Sequence, residues 1–204
     1  MPRRSRHRTA LVRAAVRRFR ERGYAATGLA EVLADSGAPR GSLYHHFPGG
    51  KAELGAAAVA AAGESVERVL RDLAREAPDA PAFLEAYAER LALWLEASAW
   101  RAGCPIATTL LETAADEPAL AAAGEVALAS WHARIAERFR ADGLPDAEAA
   151  ARAEIVVAAV EGALLLARVQ RSAAPIRRVL GTLAASWSAA SPRILAGPPT
   201  PESR

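Results

Sequence analysis

Arg40, Ser42, Tyr44, His45, His46 and Lys51 crowd side-chain hydrogen-bond donors into one short stretch of this 204-residue chain. Guanidinium, ammonium, hydroxyl and imidazole groups at that density suit contacts to phosphate oxygens and to base edges. Leu43 and Phe47, four apart, fall on one face of a helix and can anchor it while the donors point outward. Lys51 is the only lysine in the chain. It stands at the start of the following helix, where the macrodipole disfavours a cation unless a phosphate is bound there; a merely solvated lysine is the other reading. Adjacent histidines on a helix point about 100° apart, so His45 and His46 do not suggest a shared metal ion, and no metal or other cofactor is expected.

Elements that could hold these donors flank them on both sides. From Arg6 to Arg22, Leu11, Val12, Ala15, Val16 and Phe19 form one helical face opposite a row of arginines, and Gly23 ends the helix. Thr27 is the expected N-cap of a second helix, Gly28 to Ser36, with Leu29, Val32 and Leu33 facing inward. Gly37-Ala38-Pro39 makes a tight turn, and a third helix is expected from Pro39 to about Phe47. An amphipathic helix followed by two short helices around a glycine turn is a three-helix unit of the kind that binds DNA.

Charge is divided accordingly. Residues 1–51 hold eleven Lys/Arg against three acids, a balance of +8, which leaves −5 for the rest of a chain whose total is +3. A basic head on a mildly acidic body is the electrostatic footprint of a protein that meets a polyanion at one end, although a solvated arginine-rich tail gives the same balance.

The stretch Thr27-Gly-Leu-Ala-Glu-Val-Leu-Ala-Asp-Ser-Gly-Ala-Pro-Arg-Gly-Ser-Leu-Tyr-His-His-Phe, followed by Lys51, resembles the signature of the TetR family of repressors. Gly37, Gly41, Ser42, Leu43, Tyr44, His46 and Phe47 match its turn and reading helix. Leu33 stands where that family usually has alanine, Ala38 where it has a larger apolar residue, and Pro48-Gly49-Gly50 adds one residue before the lysine. With Gly103-Cys104-Pro105, these features look like the LmrA/YxaF-like branch. The resemblance implies phosphate contacts from Thr27, Tyr44, His46 and Lys51 and base contacts from Arg40 and Ser42, with His45 in either role. It also implies an all-α fold of about nine helices, homodimerisation, and release from DNA by a small effector.

The remaining chain reads as helical. Hydrophobic residues make up 51% of the sequence and aromatics only 5%, and much of the apolar fraction is alanine, the best helix former. Helices are expected at about 51–75, from Pro81, and over 106–115, 118–140, 146–171 and 175–188. Residues 1–50 are thus expected to be the DNA-binding unit, 51–190 an effector-binding and dimerisation unit, and 191–204 a disordered tail.

The helix beginning at Asp146 is apolar nearly all round over Ile155 to Ala167, which suggests burial on two sides, in its own core and against a second copy. Ala158, Gly162 and Ala163 would permit close helix approach, and Leu180, Leu183 and Trp187 are candidate partner contacts; an ordinary monomer core is the alternative. Trp94, Trp131, His132, Ile135 and Phe139 either fill a core or line an effector cavity, and the resemblance adds Cys104, Thr108 and Leu165 nearby. Glu161 is a buried-looking carboxylate that needs a partner, in a ligand or on another helix.

No apolar run approaches the ~20 residues that span a bilayer, and no apolar segment follows the N-terminal arginines as in a secretory signal. The single cysteine precludes an internal disulfide, and a cytoplasmic location is expected. Neither a nucleophile–base pair nor a phosphate loop is legible, so no catalytic residue is expected. The expected partners are operator DNA, a small and largely apolar effector, and a second copy of the chain. The competing reading is an architectural, sequence-nonspecific DNA binder that relies on the arginines before Arg22.

Overall fold

The computed structural model describes residues 3–189, so the expected tail from 191 lies outside the described residues. Within them the chain forms nine α-helices and no strand: α1 (Arg3–Arg22), α2 (Leu29–Ser36), α3 (Ser42–His46), α4 (Gly50–Glu76), α5 (Ala80–Ala97), α6 (Ala107–Thr113), α7 (Pro118–Ala141), α8 (Asp146–Gln170) and α9 (Ala174–Ala189). None of them is long and apolar enough to cross a membrane.

Local chemistry explains most boundaries. Gly23 adopts φ +86° and places its N–H 3.0 Å from the Phe19 carbonyl, closing α1. Gly37, at φ 63°, ends α2 in the same left-handed way. Asp79 caps α5 by accepting the Ala82 N–H at 2.8 Å. Two expectations differ. The segment from Pro39 is a turn closed by Ser42 N–H on the Pro39 carbonyl (2.8 Å), so α3 itself begins only at Ser42. Thr27 is not the cap of α2: Gly28 occupies that position, and the Thr27 hydroxyl, only 1% exposed, donates back to the Gly23 carbonyl at 2.7 Å. The Glu31 carboxylate accepts the Gly28 N–H (3.0 Å) in its place.

Two apolar cores share the long helices. The head buries Leu11, Ala15, Phe19, Val32, Leu43 and Phe47, and completes that core with Leu54 and Ala58 of α4 and Leu120 of α7. The body core gathers side chains of α4, α5, α7, α8 and α9 around Phe83, Leu84, Trp131, Ile135 and Phe139. Helix α4 therefore has one end in each core. Its tightest neighbour is α7, where Gly63 lets the Ala127 side chain approach the backbone.

Ion pairs fasten α2 to α1. Asp35 accepts from Arg18 at 2.6 and 2.8 Å and from Arg17 at 3.0 Å, while Glu31 takes Arg22 at 3.1 Å. The Arg18 and Arg17 guanidiniums hold the Asp35 carboxyl well below the usual carboxylate range. Arginines 17, 18 and 22 are thus engaged inside the head.

Candidate nucleic-acid interface and internal cavity

Helix α3 sorts its residues as its period demands. Leu43 (2% exposed) and Phe47 (0%) point into the head core, while Tyr44 is 65% exposed. Arg40 and His45 are also exposed, and Ser42 and His46 are half-buried at the edge of the same surface. The His45 and His46 rings meet edge-on with centroids 4.9 Å apart. The geometry thus brings Arg40, Ser42, Tyr44, His45 and His46 onto one face and excludes the Thr27 side chain, which is turned inward.

Lys51 reaches that surface from the first turn of α4. Its Nζ lies 4.4 Å from the centroid of the Tyr24 ring and 3.4 Å from the Ala25 carbonyl oxygen. Glu53, in the same first turn, accepts the Gly49 N–H at 2.8 Å. A carboxylate at the helix start and an aromatic face under the ammonium offset the macrodipole that would otherwise disfavour a cation there. Neither Tyr24 nor Glu53 was among the site residues expected from sequence.

A second feature lies inside the body. Trp94, Cys104, Trp131 and Glu161 line an internal cavity together with Arg20, Tyr87, Leu91 and the segment 102–105. Ile135 lines an adjoining gap behind Tyr87 and Trp131. The cavity is tight, with room for little more than a water molecule. The Trp131 indole donates to the Gly63 carbonyl at 2.9 Å, which fixes the wall to α4. Four of the expected residues do not line this cavity. Phe139 packs edge-on against Trp187 (5.3 Å) in the core, and Thr108 turns its hydroxyl to the Cys104 carbonyl (3.2 Å). His132 donates to the Ala150 carbonyl (2.9 Å) and lines an outer groove, and Leu165 is 61% exposed on the opposite side of α8. Arg20 was missed because it belongs to α1, far away in the chain, whereas Tyr87 and Leu91 share one face of α5 with Trp94, a spacing that could have found them.

Glu161 is largely enclosed and has the Cys104 thiol as its hydrogen-bonding partner. Burial pushes its carboxyl up from the ordinary range, and burial likewise pushes the Cys104 thiol up. For an acid, a raised folded-state value means that stability declines once pH rises above the unfolded value of about 4.3. Glu161→Gln removes that penalty. The variant should melt higher than the parent at pH 8, with the gain vanishing near pH 4. Thermal melts at the two pH values check it; an unchanged difference between them would contradict a titrating Glu161.

Comparison with known proteins decides what kind of head and body these are. Residues 11–58 match the family described as bacterial regulatory proteins, tetR family, and residues 80–181 match the C-terminal domain of LmrA/YxaF-like transcriptional regulators. The HTH-type transcriptional regulator LmrA of Bacillus subtilis is 30% identical over 83% of this chain and 90% of its own. The chain belongs to the TetR family. An HTH-type transcriptional regulator of Mycobacterium tuberculosis is 40% identical over 78% of this chain and 82% of that protein. Among solved structures, a regulatory protein TetR from Rhodobacter sphaeroides superposes with a TM-score of 0.77 at 28% identity, covering 87% of this chain and 96% of that one. Members of the TetR family are non-enzymatic transcriptional regulators that bind DNA as dimers and respond to small molecules.

In this TetR-family chain the outer face of α8 carries an exposed apolar stripe: Ile155, Ala158, Gly162, Leu165, Leu166 and Val169, repeating every three or four residues. Of the expected dimer contacts, Ala158 and Gly162 lie on it. Ala163 (2% exposed) and Leu180 (0%) are instead consumed in the protomer's own core. Leu183 is half-buried, and Trp187 packs between Phe139 and the Arg152 guanidinium, 5.1 Å from its ring. The apolar run on α8 has one side buried in the protomer and one side exposed, and helical period alone did not say which residue faced which.

Proposed function

We propose that this regulator is a repressor that binds a (pseudo)palindromic operator as a homodimer and is released by a small, largely apolar effector. The observation that carries the DNA half is the division of α3 into buried anchors, Leu43 and Phe47, and an outward face of Arg40, Tyr44 and His45. Arg40 and Ser42 would read base edges, and Tyr44, His46 and Lys51 would hold phosphates. Residues 1–50 carry this reading surface, and residues from 51 onward carry effector binding and dimerisation, with α4 belonging to both cores. The stripe from Ile155 to Val169 supplies the apolar area that a two-fold interface needs. As a regulator of chromosomal DNA it would act in the cytoplasm.

A nonspecific binder relying on the α1 arginines is disfavoured, because Arg17, Arg18 and Arg22 are tied to Asp35 and Glu31. Selection of duplexes from a random pool, followed by band shifts, tests the reading. A single enriched two-fold-symmetric sequence is expected. Tyr44→Ala with Lys51→Ala should weaken it by about 100-fold and flatten the salt dependence by about two phosphate equivalents. Equal affinity for all sequences, or an unaffected double variant, would overturn the proposal.

A further inference from the structure

Arg20 belongs to α1 of the head, yet its side chain lines the cavity of the body. Its Nε donates to the Gly103 carbonyl at 3.1 Å, and the Gly103 N–H donates back to the Arg20 carbonyl at 3.3 Å. Among the described residues no carboxylate forms an ion pair with it. A half-buried guanidinium commonly meets a carboxylate, whose two oxygens match its planar fork. Here burial alone weakens its hold on the proton, and a main-chain carbonyl is its partner.

The other polar side chains around the same space are Tyr87, Cys104 and Glu161, and burial raises the Glu161 carboxyl while the Cys104 thiol hydrogen-bonds to it. The walls between them are apolar or aromatic: Trp94, Trp131 and Leu91. Arg20 is the one cationic side chain among these lining residues and its partner is a main-chain carbonyl, so an apolar molecule that brings a carboxylate suits it.

The segment before Gly103 carries backbone strain and is tied to two helices. Ala99 and Trp100 both take left-handed φ values, 49° and 65°, which is unusual for residues with a side chain. Arg168 of α8 holds the Arg101 carbonyl at 3.1 Å, so the segment joins the cavity wall, the head and the helix that carries the exposed stripe. A little further along, Glu112 of α6 accepts the Ala25 N–H of the head at 2.7 Å.

We propose that the effector is an apolar carboxylate that takes the Arg20 guanidinium away from the Gly103 carbonyl, widening a cavity that otherwise holds little more than a water molecule and freeing α1 from its wall. This rests on the effector-released repressor proposed above, and deepens it by naming the ligand's chemistry and the residue that reports its arrival. In this proposal the ligand favours the state in which the Arg20–Gly103 pair is broken and the operator the state in which it is made, so by linkage each weakens the binding of the other.

The test uses the full chain and the operator recovered by selection, with 2-naphthoate and decanoate as probes against 2-naphthalenemethanol and decanol. The carboxylates should release the operator at concentrations at least about tenfold below those of the matched alcohols, the discrimination expected for a charge-assisted hydrogen bond. Arg20→Met, which has no donor for the Gly103 carbonyl, should bind the operator more weakly than the parent in the absence of any ligand and lose that preference. Release by acid and alcohol alike, release by neither, or a preference that survives in Arg20→Met each overturns the inference. The wild-type comparison stands whether or not the variant folds. Failure to recover any operator would instead strike the repressor reading itself.

Discussion

Replacing Phe47 with alanine is expected to destabilise the head by about 3–5 kcal/mol and to abolish operator binding at physiological temperature. Phe47 is fully buried, and its ring ends the short helix that carries the reading surface. A helix of five residues has almost no stability of its own. Its position depends on Leu43 and Phe47 filling the space between Leu11, Phe19 and Leu54. The cavity left by the missing ring would therefore remove contacts and the geometry of Tyr44 and His45 together. Tyr44→Ala, three residues earlier and 65% exposed, should leave stability within about 0.5 kcal/mol while weakening DNA binding. Thermal denaturation of the two variants, each with a band shift, separates anchor from reader. A Phe47→Ala protein that melts with the parent would show that α3 is held by something other than this core.

Gly63→Val, in the middle of α4, should have the second largest effect. A Cβ at Gly63 would sit 2.5 Å from the Ala127 side chain, well inside contact distance. Backbone must move, because Ala127 has no flexible arm to swing aside, and overpacking of that kind costs about 1–3 kcal/mol. Displacing α4 from α7 would also strain the 2.9 Å bond from the Trp131 indole to the Gly63 carbonyl, and an unmade buried bond adds roughly 1–3 kcal/mol. Because α4 carries Lys51 at one end and Trp131's acceptor in the middle, lower thermal stability should come with altered operator affinity and a shifted tryptophan emission. Gly162→Ala on α8 is the contrast. A Cβ there meets nothing within 4 Å of the protomer, so the substitution should leave the isolated fold intact and weaken only the dimer, measured by sedimentation at decreasing concentration. A Gly162→Ala dimer as tight as the parent would place the interface elsewhere.

What was legible in the sequence were the features governed by neighbours a few residues away. Gly23 and Gly37 end their helices because the left-handed backbone they adopt is cheap only without a side chain. Leu43 and Phe47 are anchors because four residues is one turn, and the family signature from Thr27 to Lys51 is a continuous string. The division into a basic head and a helical body followed from charge and composition. Where local rules competed, they misled. Thr27 has the chemistry of a cap, but its hydroxyl found a nearer carbonyl at Gly23.

The tertiary structure decided everything that depends on which helix covers which face. Nearly every side of α8 is apolar between Ile155 and Ala167, so its pattern carried no information on direction. Packing against α7 and α9 sent Ala163 inward and left Leu165 outside. The same held for Phe139 and Trp131, both large, both on α7, of which only the second reaches the cavity. Arg20 is the clearest case. In sequence it is one arginine in a row on a basic helix, indistinguishable from Arg17, Arg18 and Arg22. Its meaning comes from Gly103, 83 residues away. Only the folded chain brings a charge from the DNA-binding head into the wall of a cavity in the body.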